Sequence, residues 1–319
     1  MPDLFLILHP KTPDWEIETP YYRCKALLLK EGLLSQDVTV ELINDNRQFE
    51  WSVANIALGI FVKLGGIPWV ISGEATDNSL VIGVGRSDLF DPHERQTTST
   101  IGFTTCFSAR GDFKFMVIAD IAQSRQQYLQ LLRRIVEESL KKARGYGTDV
   151  STLTLHLPKE FSREENDVVT STVKEHLTGN LPFISAIKVT DEGAFFFVDD
   201  NSVDGVPRRG TVIQVTDRNY VLYTEGSEEK QVWRYRTPSA LRISPLLASM
   251  HDVGIQEAIR QVNDLSQVNW RGFNARSRPI SIYYGKLIAG ILSRLPVTHI
   301  ADLYTDKARA LLETRLWFL

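Results

Sequence analysis

Tyr21 and Lys25 lie four residues apart in a stretch that reads as helix, so both side chains fall on one face. A ring to stack on and an ammonium to pair with could together hold a phosphate. Alone the pair is weak, because lysine–tyrosine neighbours are common on helices. A second stretch with chemical potential runs from Leu265 to Ile300. It holds five basic residues, Arg271, Arg276, Arg278, Lys286 and Arg294, and no Asp or Glu. Trp270 and Phe273 are interleaved with them. Arginines beside aromatics suit phosphate contacts and base stacking. A packed core with solvated arginines explains the same segment equally well.

Other chemistry is thinner. The six histidines include no pair at metal-ligand spacing, and each reads as an ordinary surface or core residue. There is no P-loop and no G-x-S-x-G. Asp199-Asp200 could hold a metal, but a charged strand end entering a turn is the better reading. The basic residues around 133–144 are offset by Glu137 and Glu138 and read as a solvated helix face.

The elements that must position these residues alternate at first between strand and helix. Leu4–Leu8 is a short apolar strand. Thr19-Pro20 is a helix start, a capping hydroxyl followed by proline, and the helix stops at Gly32. Val38–Leu42 alternates like a strand, Trp51 to Leu64 reads as helix, and Pro68–Ile71 as a third strand. This β-α-β-α-β order implies a parallel sheet covered by helices. The polar run 72–78 marks a boundary. Strands are expected near 79–85, 98–106 and 113–121, then a helix at 123–144, a strand at 152–157 and a helix at 164–178. That order is β-β-β-α-β-α, as in an RNase H-like fold. Strand candidates follow at 184–190, 194–199, 211–216 and 219–224. The end reads as helices near 245–262, 280–294 and 305–316.

Composition bounds the rest. The chain has 319 residues, 43% hydrophobic and 24% charged, with a net charge of −3. That suits about two domains and excludes a disordered chain or a bulk polycation. Two cysteines, Cys24 and Cys106, fit a reducing, cytoplasmic compartment better than a disulfide framework. No apolar run is long enough for a membrane span, and no signal peptide is evident.

The phosphate-suited residues belong to a longer pattern. Tyr21-Tyr22-Arg23-Cys24-Lys25 is followed by Ser35-Gln36-Asp37-Val38, then Asn55-Ile56-Ala57-Leu58, then Lys63-Leu64-Gly65-Gly66-Ile67-Pro68-Trp69. This resembles the MID domain of Argonaute and Piwi proteins. Thr237-Pro238-Ser239-Ala240-Leu241, Leu265-Ser266-Gln267-Val268-Asn269-Trp270, and Pro279 through Tyr284 to Ala289 are similar to PIWI-domain stretches. The resemblance implies an α/β chain: a Rossmann-like MID domain over 1–75, then an RNase H-like PIWI domain over 76–319. It implies that Tyr21 meets the first nucleotide of a guide strand. Lys25, Gln36, Asn55 and Lys63 would hold the guide's 5′ phosphate. It further implies that the carboxylate of Leu319 reaches that phosphate through Mg2+ or Mn2+, with Gln36 as a second metal ligand. Plain alternatives are that Lys63 complements a helix C-terminus, that Asn55 is a surface residue, and that Trp317, Phe318 and Leu319 only complete a core.

Cutting members of this family hold two metal ions on clustered carboxylates. At the matching positions this chain has Gly85, Leu157 and Lys286. A glycine, a leucine and a lysine cannot hold two dications, and Asp88 or Asp120 lie off the expected positions. The chain is therefore expected not to be an enzyme, and Lys286 would meet backbone phosphate together with Arg271, Arg276 and Arg278. No room remains before Asp3 for further Argonaute domains. The first strand begins so early that a sheet edge is expected to be open, through truncation or because a partner supplies a segment. The resemblance thus implies a short prokaryotic Argonaute. Its partners would be a 5′-phosphorylated RNA or DNA guide and a complementary single-stranded target, expected to be DNA. It would act in defence against plasmids or phages through an effector of sirtuin-like, TIR or nuclease type. The rival classes are an active guide-directed endonuclease and an interaction scaffold that has lost nucleic acid.

Overall fold

In a computed structural model the described residues are 3–13, 16, 19–72, 79–91, 96–145, 152–158, 161–176, 183–193, 195–202, 205–226, 240–246 and 252–319. The chain opens with β1 (Leu4–His9), α1 (Pro20–Lys30), β2 (Leu34–Thr39), α2 (Val40–Asn44) and α3 (Asn46–Lys63). Thr19 caps α1, its hydroxyl accepting from the Tyr22 backbone N–H with Pro20 in the first turn. β1 and β2 pair in parallel, Leu6 opposite Gln36.

Two strand expectations fail here. Val38–Leu42 splits, because the Thr39 hydroxyl accepts from Leu42 N–H and starts α2 instead of prolonging the strand. Pro68–Ile71 forms no strand. Its carbonyl at Trp69 accepts from Trp270 Nε1 at 2.9 Å, and Ile71 N–H donates to Arg110 O. The segment's polar groups are satisfied by the larger unit, so it leaves the small sheet with two strands among the described residues. Leu6 and Leu8 remain more than half exposed on one face of that sheet.

The larger unit begins with β3 (Ser79–Asp91), β4 (Gln96–Ser108), β5 (Phe113–Ile118), α4 (Arg125–Gly145), β6 (Thr152–Leu157) and α5 (Arg163–His176), the expected order. It continues with β7 (Phe183–Asp191), β8 (Val212–Thr216), β9 (Asn219–Tyr223), β10 (Ala240–Pro245), α6 (Asp252–Gln267), α7 (Ile280–Leu292), α8 (Val297–Ile300) and α9 (Asp306–Thr314). The sheet runs β5-β4-β3-β6-β7-β10-β9-β8. β3, β6 and β7 are parallel and the other pairings antiparallel. β10 escaped the sequence reading. Residues 195–199, expected as strand, are irregular: Phe195 N–H donates to Glu192 and Phe197 N–H to the Tyr223 hydroxyl. Residue 194, Thr237–Ser239 of the T-P-x-x-L stretch and most of the boundary run at 73–78 lie outside the described residues.

α4 and α5 cover one face of the sheet through Leu132, Ile135, Val136 and Val169. α7 crosses the other face so closely that a Cβ on Gly83 would lie 2.2 Å from Ser281 O. One apolar cluster joins Ala26, Leu29, Leu58 and Val62 of the small unit to Trp270, Tyr284, Trp317 and Phe318 of the large one. The two expected domains therefore share a core. Burial at about 25 cal/mol per Å² of apolar surface fixes α1 and α3 against α7 and the C-terminus.

Candidate nucleic-acid interface

At that junction lies a cavity of about 490 Å³. Tyr21 and Tyr22 come from α1, Gln36 and Asp37 from β2, Ser52 and Asn55 from α3. Across from them stand Arg271, Lys286 and Arg294, with Leu319 closing one side. Four of the residues singled out by the family pattern, Tyr21, Gln36, Asn55 and Leu319, thus share one wall system. Gly272 lies close by, and a Cβ there would lie 3.3 Å from Asn55 Oδ1.

The two lysines of the pattern are buried against β2, and the cavity wall does not include them. Lys25 is 1% and Lys63 0% exposed. Lys63 Nζ donates to Ser35 O at 2.8 Å and to Gln36 Oε1 at 3.0 Å. Its ammonium therefore turns to β2, although Lys63 stands in the last turn of α3. Lys25 Nζ donates to Ser35 Oγ at 3.4 Å and lies 3.7 Å from Asp37. Burial pushes Lys63 down to about 6, with Lys25 adding repulsion and Asp37 opposing it. Lys25 is lowered by burial too, against the pull of Asp37. A dianion entering the cavity would reverse both penalties. Burial raises Tyr21, with Asp37 adding to it, so its ring stays neutral.

Two residues join the site without having been singled out. Asp37 lines the cavity, and its Oδ1 is buried with no hydrogen-bond partner among the described residues. A buried carboxylate oxygen with no hydrogen-bond partner can take a cation. Gln36 Oε1 lies next to it in the chain and Leu319 is at the wall, so the donor set is hard oxygen and fits a magnesium-like ion. His9, read as ordinary from sequence, stacks on Tyr21 with centroids 5.2 Å apart. That pair borders a second cavity of about 840 Å³, which shares Tyr21, Tyr22 and Arg294 with the first. Only the parallel register of β1 and β2 brings His9 there.

The C-terminal residues divide between core and cavity. Trp317 and Phe318 are buried in the shared core, while Leu319 is half-buried at the cavity.

The basic stretch divides. Arg271 and Lys286 face the cavity. Arg278 does not: its guanidinium makes a two-pronged pair with Asp191. Arg276 lies over the Tyr283 ring at 5.0 Å and is absent from the cavity wall. Trp270 is 2% exposed and bonded to Trp69, so it is core and offers no face for a base. Phe273 is 62% exposed and packs beside Trp69.

A separate cleft of about 250 Å³ lies on the far side of α7. Gly85 and Lys286, matched from sequence to catalytic positions, both line it, and Pro158 after Leu157 joins them. Gly85 pairs with Phe103 across the β3–β4 ladder. A Cβ at 85 would meet the Phe103 ring at 2.5 Å, so an aromatic ring fills the space a carboxylate would need. Asp88 borders the cleft, accepting from Thr100 Oγ1 at 3.0 Å. Asp120 is elsewhere, paired with Arg134 and Arg309. Asp199 sits in a turn, accepting from Asn201 N–H. Among the described residues no three His, Cys, Asp or Glu side chains are grouped to hold a metal ion.

A Piwi domain profile matches residues 11–295, and the chain belongs to the Piwi domain family. It is 25% identical to a Piwi protein of Archaeoglobus fulgidus over 95% of this chain and 73% of that one. It is 22% identical to an argonaute protein of Cereibacter sphaeroides, covering 90% of this chain and 39% of that protein. A solved structure of Aa-Ago with externally bound siRNA shares the fold, with a TM-score of 0.61 at 16% identity over 92% of this chain and 39% of that one. No described helix is long and apolar enough to cross a membrane.

Proposed function

We propose that the chain anchors the 5′-phosphorylated end of a guide strand in the α1–β2–α3 cavity and pairs the guide with a complementary single strand. One observation carries the reading: Lys25 and Lys63 are buried against Ser35 and Gln36 of β2, and Gln36 lines a polar cavity with Tyr21, Asn55 and Leu319. Two buried ammonium groups are costly unless an anion joins them. A terminal phosphate carries roughly two negative charges and many acceptor oxygens, so it suits that pair. Tyr21 offers a neutral ring to the first nucleotide, with His9 behind it. Gln36, the Leu319 carboxylate and Asp37 would hold Mg2+ or Mn2+, which would offset the negative charge gathered there. Arg271 and Lys286 extend the positive wall toward the following phosphates.

The same reading has the chain recognise its target without cutting it, because Gly85 and Lys286 occupy the cleft where carboxylates would be needed. Recognition would then be passed to an associated effector in defence against plasmids or phages, in the cytoplasm. Binding of matched oligonucleotides with a 5′ phosphate or a 5′ hydroxyl tests the anchor. The phosphate should improve affinity by about a hundredfold, since several charge-assisted hydrogen bonds are at stake. Equal binding of the two would leave an interaction scaffold as the better description.

A further inference from the structure

His9 is the last residue of β1, and Pro10 after it favours an extended backbone at that position. Strand side chains alternate, so His9 shares a face with Phe5 and Ile7, the more buried face of β1. There it meets Tyr21 in the first turn of α1, whose backbone Thr19 and Pro20 fix. The two ring centroids are 5.2 Å apart and the planes lie 25° from parallel. His9 Nδ1 donates to Pro10 O at 2.9 Å, which holds the imidazole in place. A carbonyl only accepts, so that bond puts a proton on Nδ1. Tyr22 leans on Tyr21 at 4.6 Å and 59°, and Lys25 Nζ lies 5.9 Å from the Tyr21 ring centre. His9 lines the second cavity and not the first, whereas Tyr21 lines both. The histidine is thus placed to fix the ring that the two cavities share.

We propose that His9 is a positioning residue for Tyr21: by stacking on the phenol it sets the plane on which the first nucleotide of the guide lies. The proposal rests on the guide-anchoring reading and adds a second ring to it. A free tyrosine ring must be ordered when a base stacks on it, and that ordering weakens binding. With His9 against it, the order is in place before the guide arrives. Imidazole, phenol and base in series also gain from offset stacking. None of this reads the identity of the base, since every base has a flat face. His9 therefore strengthens the hold on a first nucleotide of any type. It adds nothing to the hold on a terminal phosphate whose first base is missing.

The test uses the full chain and two 5′-phosphorylated guides, one with a base at its first nucleotide and one abasic there. Fluorescence anisotropy gives the ratio of their affinities. His9→Leu should lower that ratio by about fivefold. His9→Phe, which keeps a flat ring and carries no charge, should hold it within about twofold of the unaltered protein. In a Tyr21→Leu background, His9→Leu should change the ratio by less than about twofold, because the residue acts through the tyrosine. A fluorescent adenine analogue as the first base reports stacking directly. Its emission should be quenched on loading in the unaltered protein and in His9→Phe, and less so in His9→Leu. An equal loss for both guides in His9→Leu, no rescue by phenylalanine, or an undiminished effect without Tyr21 would overturn this assignment alone. Equal binding of phosphorylated and hydroxyl guides by the unaltered chain would instead overturn the guide-anchoring reading.

Discussion

The cavity at the guide end and the cleft beneath β3 lie on two sides of α7, and Lys286 borders both. They have fared oppositely. The cavity has Tyr21, Gln36 and Asn55 in its wall, with Lys25 and Lys63 buried against β2 nearby. The cleft has Gly85 against the Phe103 ring and Lys286 in its lining. On the proposed reading, binding and cutting are separable in this fold. Holding a strand end needs donors and cations. Cutting needs acids close together, and those can vanish while the scaffold that carries them persists.

The largest effect expected should come from the lysines buried against β2. Lys63→Ala should reduce affinity for a 5′-phosphorylated guide by about a hundredfold and abolish preference over a 5′ hydroxyl. Fluorescence anisotropy with the two guides reads both. A retained preference would show that the lysines only brace β2.

Proton linkage sharpens the same point. Lys63 is held at about 6, against 10.5 ordinarily, so it is largely neutral in the empty protein at pH 8. A bound dianion favours its charged form, so guide loading should take up a proton between those values. Affinity should then fall as pH rises from 7 to 9, by up to about tenfold per unit. Calorimetry in buffers of different ionisation enthalpy measures the uptake. The stability contribution has the opposite trend. The unfolded chain binds the Lys63 proton more tightly, so this group makes the folded protein gain stability with rising pH across the same window.

Extending the chain beyond Leu319 by a few residues should weaken guide binding by about tenfold, because the terminus borders the cavity. Unchanged affinity would confine the C-terminal residues to the core, where Trp317 and Phe318 already serve.

On the cleft side, guide-loaded protein should leave a matched target intact in magnesium or manganese. A cleaved product on a gel would erase the contrast between the two regions. Gly85→Asp should not create activity and should cost about 1–3 kcal/mol in thermal or chemical unfolding, since the new side chain meets Phe103. The smallest effect belongs to Arg278. It pairs with Asp191 at the surface, so Arg278→Ala should change guide and target affinity by less than about twofold and stability by under about 1 kcal/mol.

Much of the cavity was legible because its residues sit on regular elements close in sequence. A capped helix fixes Tyr21 and Lys25 on one face, and Lys63 ends the second long helix, whatever surrounds them. Gln36 lies in a strand whose partner is the segment just before α1. The basic stretch was less legible, because charge alone does not show which way an arginine turns. Arg271 reaches the cavity, while Arg278 finds Asp191, distant in sequence, and Trp270 finds Trp69. Pro68–Ile71 failed as a strand for the same reason: its partners belong to the larger unit.

By itself the sequence determined the family pattern, the β-β-β-α-β-α order and the residue types at positions 85, 157 and 286. These rest on local periodicity, caps and spacing, which act within a few turns of chain. Tertiary structure alone decided that Phe103 lies over Gly85, that Asp37 keeps an unpaired oxygen, that His9 backs Tyr21 and that Lys286 borders two sites. Each depends on strand register or on the packing of α7 between two units. Those are set by burying one shared core across residues far apart in the chain, and no local rule encodes that distance.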